Sequence, residues 1–301
     1  MNGRRVGGRR NVAVAARAVA VVGVWAVLSS AVSLGAQRGA PPAAPAQAPQ
    51  TPQGMAPIDL VGTWVAVVTE DWRWRMMTPA KGDYASVPIN DAGRKAADGW
   101  DYAAEQTPDN ACKPFGIGNI VRMPGRLRIS WQDPTTLKFE FDAGTQTRLL
   151  HFVARQPAGP PTWQGHSQAA WEIAGQQVEV DRNGTPVAAA GGGRGRGGRG
   201  AAAATPRGGS LRVTTTNFRP GFLRKNGVPY SATASITEYV DRIAYPNGDV
   251  VLLVRTAVED PQYLQLPFLT STHFKLEPND AKWKATPCAI DPPVVRPVVT
   301  R

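Results

Sequence analysis

Apolar and polar positions alternate along most of the chain from Ile117 onward. Leu127, Ile129 and Trp131 interleave with Arg126, Arg128 and Ser130, and Leu137, Phe139 and Phe141 with Lys138, Glu140 and Asp142. A period of two puts each set on one face of a strand. Asp133-Pro134 between the two runs is a turn signal, so this stretch predicts a hairpin with one buried face. The same reading predicts strands over Val61–Thr69, Thr145–Val153, Ala169–Ile173, Val178–Val180, Leu211–Phe218, Ala234–Ile243, Val250–Val258 and Phe268–Leu276. Gly221, Asn226-Gly227, Asn247-Gly248 and Asp260-Pro261 part the later ones. Between Asp71 and Met77, Trp72, Trp74 and Met76 alternate with Arg73, Arg75 and Met77, which reads as a further strand with an aromatic and a basic face. One helix is predicted, Asn90 to Ala104, capped by Asn90 and weakened by Gly93 and Gly99. Such spacing favours an up-and-down barrel or sandwich over any βαβ fold, and a barrel also disposes of exposed edges; the expected fold is all-β, an antiparallel barrel of about ten strands with one short helix.

The flanks read differently. Residues 1–36 hold Arg4, Arg5, Arg9, Arg10 and Arg17, then an apolar run from Ala18 to Leu28 and the small-residue stretch Ser33-Leu34-Gly35-Ala36. That is the layout of a secretory signal, and its apolar run falls short of the ~20 residues that span a bilayer. No lasting membrane anchor is expected once it is removed. Residues 37–57 are a Pro/Ala/Gln-rich spacer, residues 58–290 a single barrel domain, and 291–301 a disordered tail. A low-complexity loop, 187–207, is inserted in the domain. Of the formal charge of +11, five arginines belong to the signal and four (Arg194, Arg196, Arg199, Arg207) to that loop, which leaves +2 for the rest. A near-neutral body argues against nucleic acid as a partner.

Cys112 and Cys288 are the only cysteines. In an oxidising compartment an even count points to a disulfide; two buried thiols are the alternative. A bond closing so long a loop stabilises by about 4–5 kcal/mol at most.

Gly62-Thr63-Trp64 resembles the opening of a lipocalin barrel, a Gly turn followed by a Trp that plugs one end. Further motifs follow in order: Cys112-Lys113-Pro114; Arg148 with His151; Gly165, Ser167, Trp171 and Glu172; Leu211, Val213, Thr215, Thr216 and Phe218; Glu238 with Arg242; Val258-Glu259-Asp260-Pro261 and Pro267-Phe268. Together they resemble a family of exported bacterial proteins with a lipocalin-like β-barrel domain. The resemblance implies a fold and a compartment and no particular activity. This chain departs from it by a long insertion between Glu172 and Leu211, where the family has a short hairpin.

Chemistry-bearing residues are sparse. His151, His166 and His273 are the only histidines and none is spaced as a ligand pair, so no metal and no cofactor is expected. The barrel could gather His151, His166 and Glu172, which the spacing alone does not decide. Gly165-His166-Ser167 sets Ser and His on opposite strand faces and forms no nucleophile elbow. Glu238 and Arg242 share a face, while Arg148 and His151 lie on opposite ones. Such charges either form an internal salt-bridge network or perform acid–base chemistry, with Glu238, His151 and Glu259 as the catalytic candidates. With nine tryptophans in the chain, some plug the barrel and others are free to wall a pocket. The expected function is a periplasmic or secreted protein binding a small organic ligand, with Trp72 and Trp74 as walls and Arg73, Arg75, Arg148 and Arg242 for an acidic group. The alternatives are a barrel hydrolase or isomerase and a cell-envelope interaction module.

Overall fold

A computed structural model describes residues 51–155, 157, 159–173 and 208–295. The signal, most of the spacer, the strand candidate Val178–Val180, the low-complexity loop and the last residues of the tail lie outside the described residues. The elements in order are β1 (Gly62–Val67), α1 (Trp72–Arg75), α2 (Asp91–Asp98), α3 (Tyr102–Glu105), β2 (Arg126–Asp133), β3 (Thr136–Phe141), β4 (Gln146–His151), β5 (His166–Ile173), β6 (Gly209–Thr216), β7 (Gly221–Arg224), β8 (Val228–Tyr230), β9 (Ser235–Ala244), β10 (Val250–Glu259) and β11 (Phe268–Glu277). Nine strands close a barrel in the order β1-β11-β10-β9-β6-β5-β4-β3-β2, and β7-β8 form a separate hairpin. All neighbours are antiparallel except β4 and β5, which run parallel. The barrel is therefore mixed and nine-stranded, not an antiparallel barrel of about ten. Alternation has the same period in either direction, so the parallel pair leaves no trace in the pattern.

Two local expectations also change. Trp72–Arg75 is a single helical turn, not a strand. Four alternating residues are too few to separate the two periods, and the turn starts at Asp71 with φ 52°, which reverses the chain directly after β1. The predicted helix is split: α2 is capped by the Asn90 side chain accepting from Gly93 N, and the chain breaks at Gly99-Trp100 before α3.

The barrel interior is filled. Trp64, fully buried, donates from Nε1 to Leu60 O and packs with Leu127, Ile129, Leu137, Phe139 and Phe274. Gly62 makes this possible: its φ of 145° suits glycine, and a Cβ there would lie 2.8 Å from the Leu276 side chain. A second apolar cluster, including Phe218, Leu223, Tyr230, Ile236 and Phe268, closes one end beneath β7-β8. Trp131 and Trp171 pack against Phe152, with ring centroids 5.5 and 5.2 Å from it. Between the two clusters runs a polar layer, visible along inward-facing positions: Val240, Glu238, Ile236 on β9 and Val254, Thr256, Val258 on β10. Cys112 and Cys288 are bonded, with Cα atoms 5.0 Å apart. Residues just ahead of β1 pack on the barrel as well, Trp171 Nε1 donating to Pro52 O.

Candidate functional site: a cleft at the parallel seam

β4 and β5 meet through only two register pairs, Leu150↔Ser167 and His151↔Gln168. Above them the seam has no ladder, and the segment leading into β5 fills its place. That segment is held by backbone bonds from Ile117 N to Trp163 O and from Arg219 N to Thr162 O. Gly165 makes the final turn at φ 65°, where a Cβ would fall 2.6 Å from Thr216 O. The result is a cleft of about 200 Å³ whose walls include Arg148, His151, Thr162, Gln164, His166 and Asn217. That is the volume of about seven waters at ~30 Å³ each, room for a small molecule only.

His151 and His166 stack in this cleft with ring centroids 5.3 Å apart. His151 Nδ1, His166 Nε2 and Gln164 Oε1 are buried and find no hydrogen-bond partner among the described residues. Gln164 is fixed from its other side, its Nε2 donating to Phe115 O at 2.7 Å and to Gln146 Oε1 at 3.1 Å. Burial pushes the His151 pKa below its usual value, and electrostatic interactions with Arg155 and then His166 act in the same direction, against a smaller opposing pull from Asp133. His151 is therefore a neutral imidazole at pH 7, able to donate from one nitrogen and accept on the other.

The remaining expected residues do not converge here. Arg148 contributes to the wall, but its guanidinium is turned into the polar layer. There Nη2 and Nη1 donate to Glu238 at 2.6 and 3.2 Å, and Nη2 also reaches Ser167 Oγ and Thr215 Oγ1. With side chains 1% and 2% exposed, Arg148 and Glu238 form an internal salt bridge; neither is free for ligand or proton transfer. Arg242 and Glu259 are exposed on β9 and β10. Glu172 lies six positions beyond His166 on β5, about 20 Å at the usual strand rise, and faces Arg212 at 4.0 Å.

The expected Trp72–Arg75 site also dissolves, because a helical turn spreads four consecutive side chains around its axis. Trp72 is 58% exposed. Arg73 pairs with Asp83 at 2.6 Å. Arg75 is buried and donates to Arg122 O at 2.9 Å and Val67 O at 3.4 Å, with Glu70 at 3.6 Å. Trp74 lies under two guanidiniums, Arg73 at 4.8 Å and Arg224 at 4.4 Å from its ring centroid.

Sequence reasoning passed over Gln164, Arg122 and Arg224. Gly165 beside His166 was the available signal for the cleft; nothing local marks the two arginines. Among the described residues no group of three or more His, Cys, Asp or Glu converges as a metal site. Nor is any helix among them long and apolar enough to cross a membrane. No protein-family model matches the chain, and the searches of curated proteins and of solved structures gave no match.

Proposed function

We propose that this is an exported, lipocalin-like protein that binds a small organic molecule carrying an acidic group, in the cleft at the β4–β5 seam and not in a central lumen. The observation that carries the reading is the set of three buried polar atoms without partners among the described residues, all on residues lining one polar cavity: His151 Nδ1, His166 Nε2 and Gln164 Oε1. Buried polar groups are stabilised only when paired, so such a set favours a partner that supplies the missing hydrogen bonds. Arg155, which acts electrostatically on His151, favours an acidic end, and Gln164 Oε1 favours a hydroxyl or amine on the same molecule. Export rests on the Arg-rich, apolar leader and agrees with the Cys112–Cys288 bond. Native mass spectrometry of protein exported by its host tests the binding reading. The mature mass with one small ligand is expected for wild type and the bare mass for His166→Ala. A wild type that carries nothing and responds to no hydroxy acid in a binding panel refutes it.

A second reading, a proton-transfer enzyme in the same cleft, is favoured by His151, whose pKa is lowered and whose Nδ1 has no partner among the described residues, beside a cavity. It predicts turnover of the bound molecule that stops in His151→Ala while binding persists.

A further inference from the structure

We propose a second site, with lining residues separate from those of the cleft: the buried guanidinium of Arg224, with Arg122 within electrostatic range of both it and Arg75, holds a small oxyanion, either inorganic phosphate or sulfate or the carboxylate of an organic acid. Arg224 ends β7, where the register against β8 shifts between Phe222 and Arg224. The shift re-aims the side chain inward, as bulges do, and Arg224 is 1% exposed. One face of its guanidinium lies over Trp74. Its edge is unserved: Nε, Nη1 and Nη2 are all buried and none finds an acceptor among the described residues. Arginine presents five N–H donors in a planar fork whose natural complement is an oxyanion.

The surroundings extend the same deficit. Arg122 acts on both Arg224 and Arg75 electrostatically, so three buried guanidiniums lie within range of one another. Among the described residues Arg75 Nη2 and Arg122 Nε also lack acceptors. The acids nearby are already engaged. Asp71 pairs with Arg122 at 2.9 Å, Asp83 with Arg73 at 2.6 Å, and Glu70 bonds His273 Nδ1 and faces Arg75 at 3.6 Å. Four guanidiniums share three carboxylates, and Arg224 is the one that makes no ion pair within 4.0 Å among the described residues, though Asp71 and Asp83 act on it from farther off. Burial lowers the pKa of Arg224 to about 10, with Arg122 adding to the effect, so it is still charged at neutral pH. A buried, charged group with no acceptor is the costliest arrangement a folded chain can hold, and one bound anion removes both the charge and the donor deficit.

The test is the thermal midpoint of the mature chain at constant ionic strength, so that screening is held fixed, titrated with phosphate, sulfate and acetate. A ligand that binds only the folded state raises the midpoint with the logarithm of its concentration. Wild type should respond, and Arg224→Met should not. Arg224→Lys, which keeps the charge and loses the fork, should weaken the anion by roughly tenfold or more. A response to phosphate and sulfate alone identifies a free inorganic anion, and a response to acetate a carboxylate. His151→Ala, which alters the cleft at the seam, should leave the response intact, which keeps this proposal separate from the one above. If Arg224→Met does not fold, equilibrium dialysis of wild type against labelled phosphate and acetate decides: about one anion per chain supports the site and none overturns it. Indifference of the wild-type midpoint to all three anions, or an undiminished response in Arg224→Met, also overturns it.

Discussion

Replacing Glu238 by Ala should destabilise the fold by ~3–5 kcal/mol, because it strands the Arg148 charge inside the barrel. The two side chains are 1% and 2% exposed, and Arg148 makes two bonds to the carboxylate, at 2.6 and 3.2 Å. After the substitution Nη2 keeps only long contacts of 3.3 Å to Ser167 Oγ and Thr215 Oγ1. These hydroxyls already share a 2.9 Å bond with each other, so they compensate little. A domain of this size holds ~5–15 kcal/mol in all, so the loss is a large fraction of the whole. If the cost lies in the stranded charge, removing both charges should relieve it. Arg148→Met with Glu238→Leu should sit within ~1 kcal/mol of wild type, or above it. Urea denaturation followed by tryptophan fluorescence measures both variants, provided the slope is unchanged. A loss below ~1 kcal/mol for Glu238→Ala, or a double variant as unstable as the single one, would refute the buried pair as described.

Further outcomes follow from the disulfide and from His151. Thiol titration of unfolded, unreduced protein should find no free thiol, and Cys112→Ser with Cys288→Ser should cost ~2–5 kcal/mol; two reactive thiols in wild type would remove the bond. The folded-state pKa of His151 lies below its unfolded value, chiefly through burial. Its contribution to stability is therefore complete above the unfolded value of ~6.5 and is lost as pH falls from there through the folded value. Unfolding at pH 8 and pH 5 should show a smaller acid loss in His151→Gln than in wild type, and equal losses would remove His151 as the cause.

Much of the fold was written in the local pattern. The alternating runs of β2 and β3 bury Leu127, Ile129, Leu137, Phe139 and Phe141, as a period of two requires. Asn90 caps its helix because a cap needs only a side-chain oxygen and the amide three residues on. The Cys pair was readable from count and compartment, and its bond is present.

The candidate sites were not legible in this way. Periodicity assigns a side chain to a face but names neither the neighbouring strand nor its direction. Whether Arg148 met a ligand or Glu238 was settled by barrel closure, which sets β9 near β4 across the interior with β5 and β6 between them at the wall. His151 and His166 became neighbours only because β5 starts beside the end of β4 and runs the same way. The Trp-Arg-Trp-Arg run fits either period over four residues, and the backbone reversal at Asp71 decided for a helical turn. Arg122 and Arg224 carry no local signal in the sequence, and Arg75 reads with its neighbours Trp72, Arg73 and Trp74 as part of one strand. Three separate segments, each ordered by its own packing, bring them together where water is excluded. Sequence alone fixed which residues are apolar and how they alternate; burial of charge, which creates both candidate sites, is a property of long-range closure and belongs to the tertiary structure.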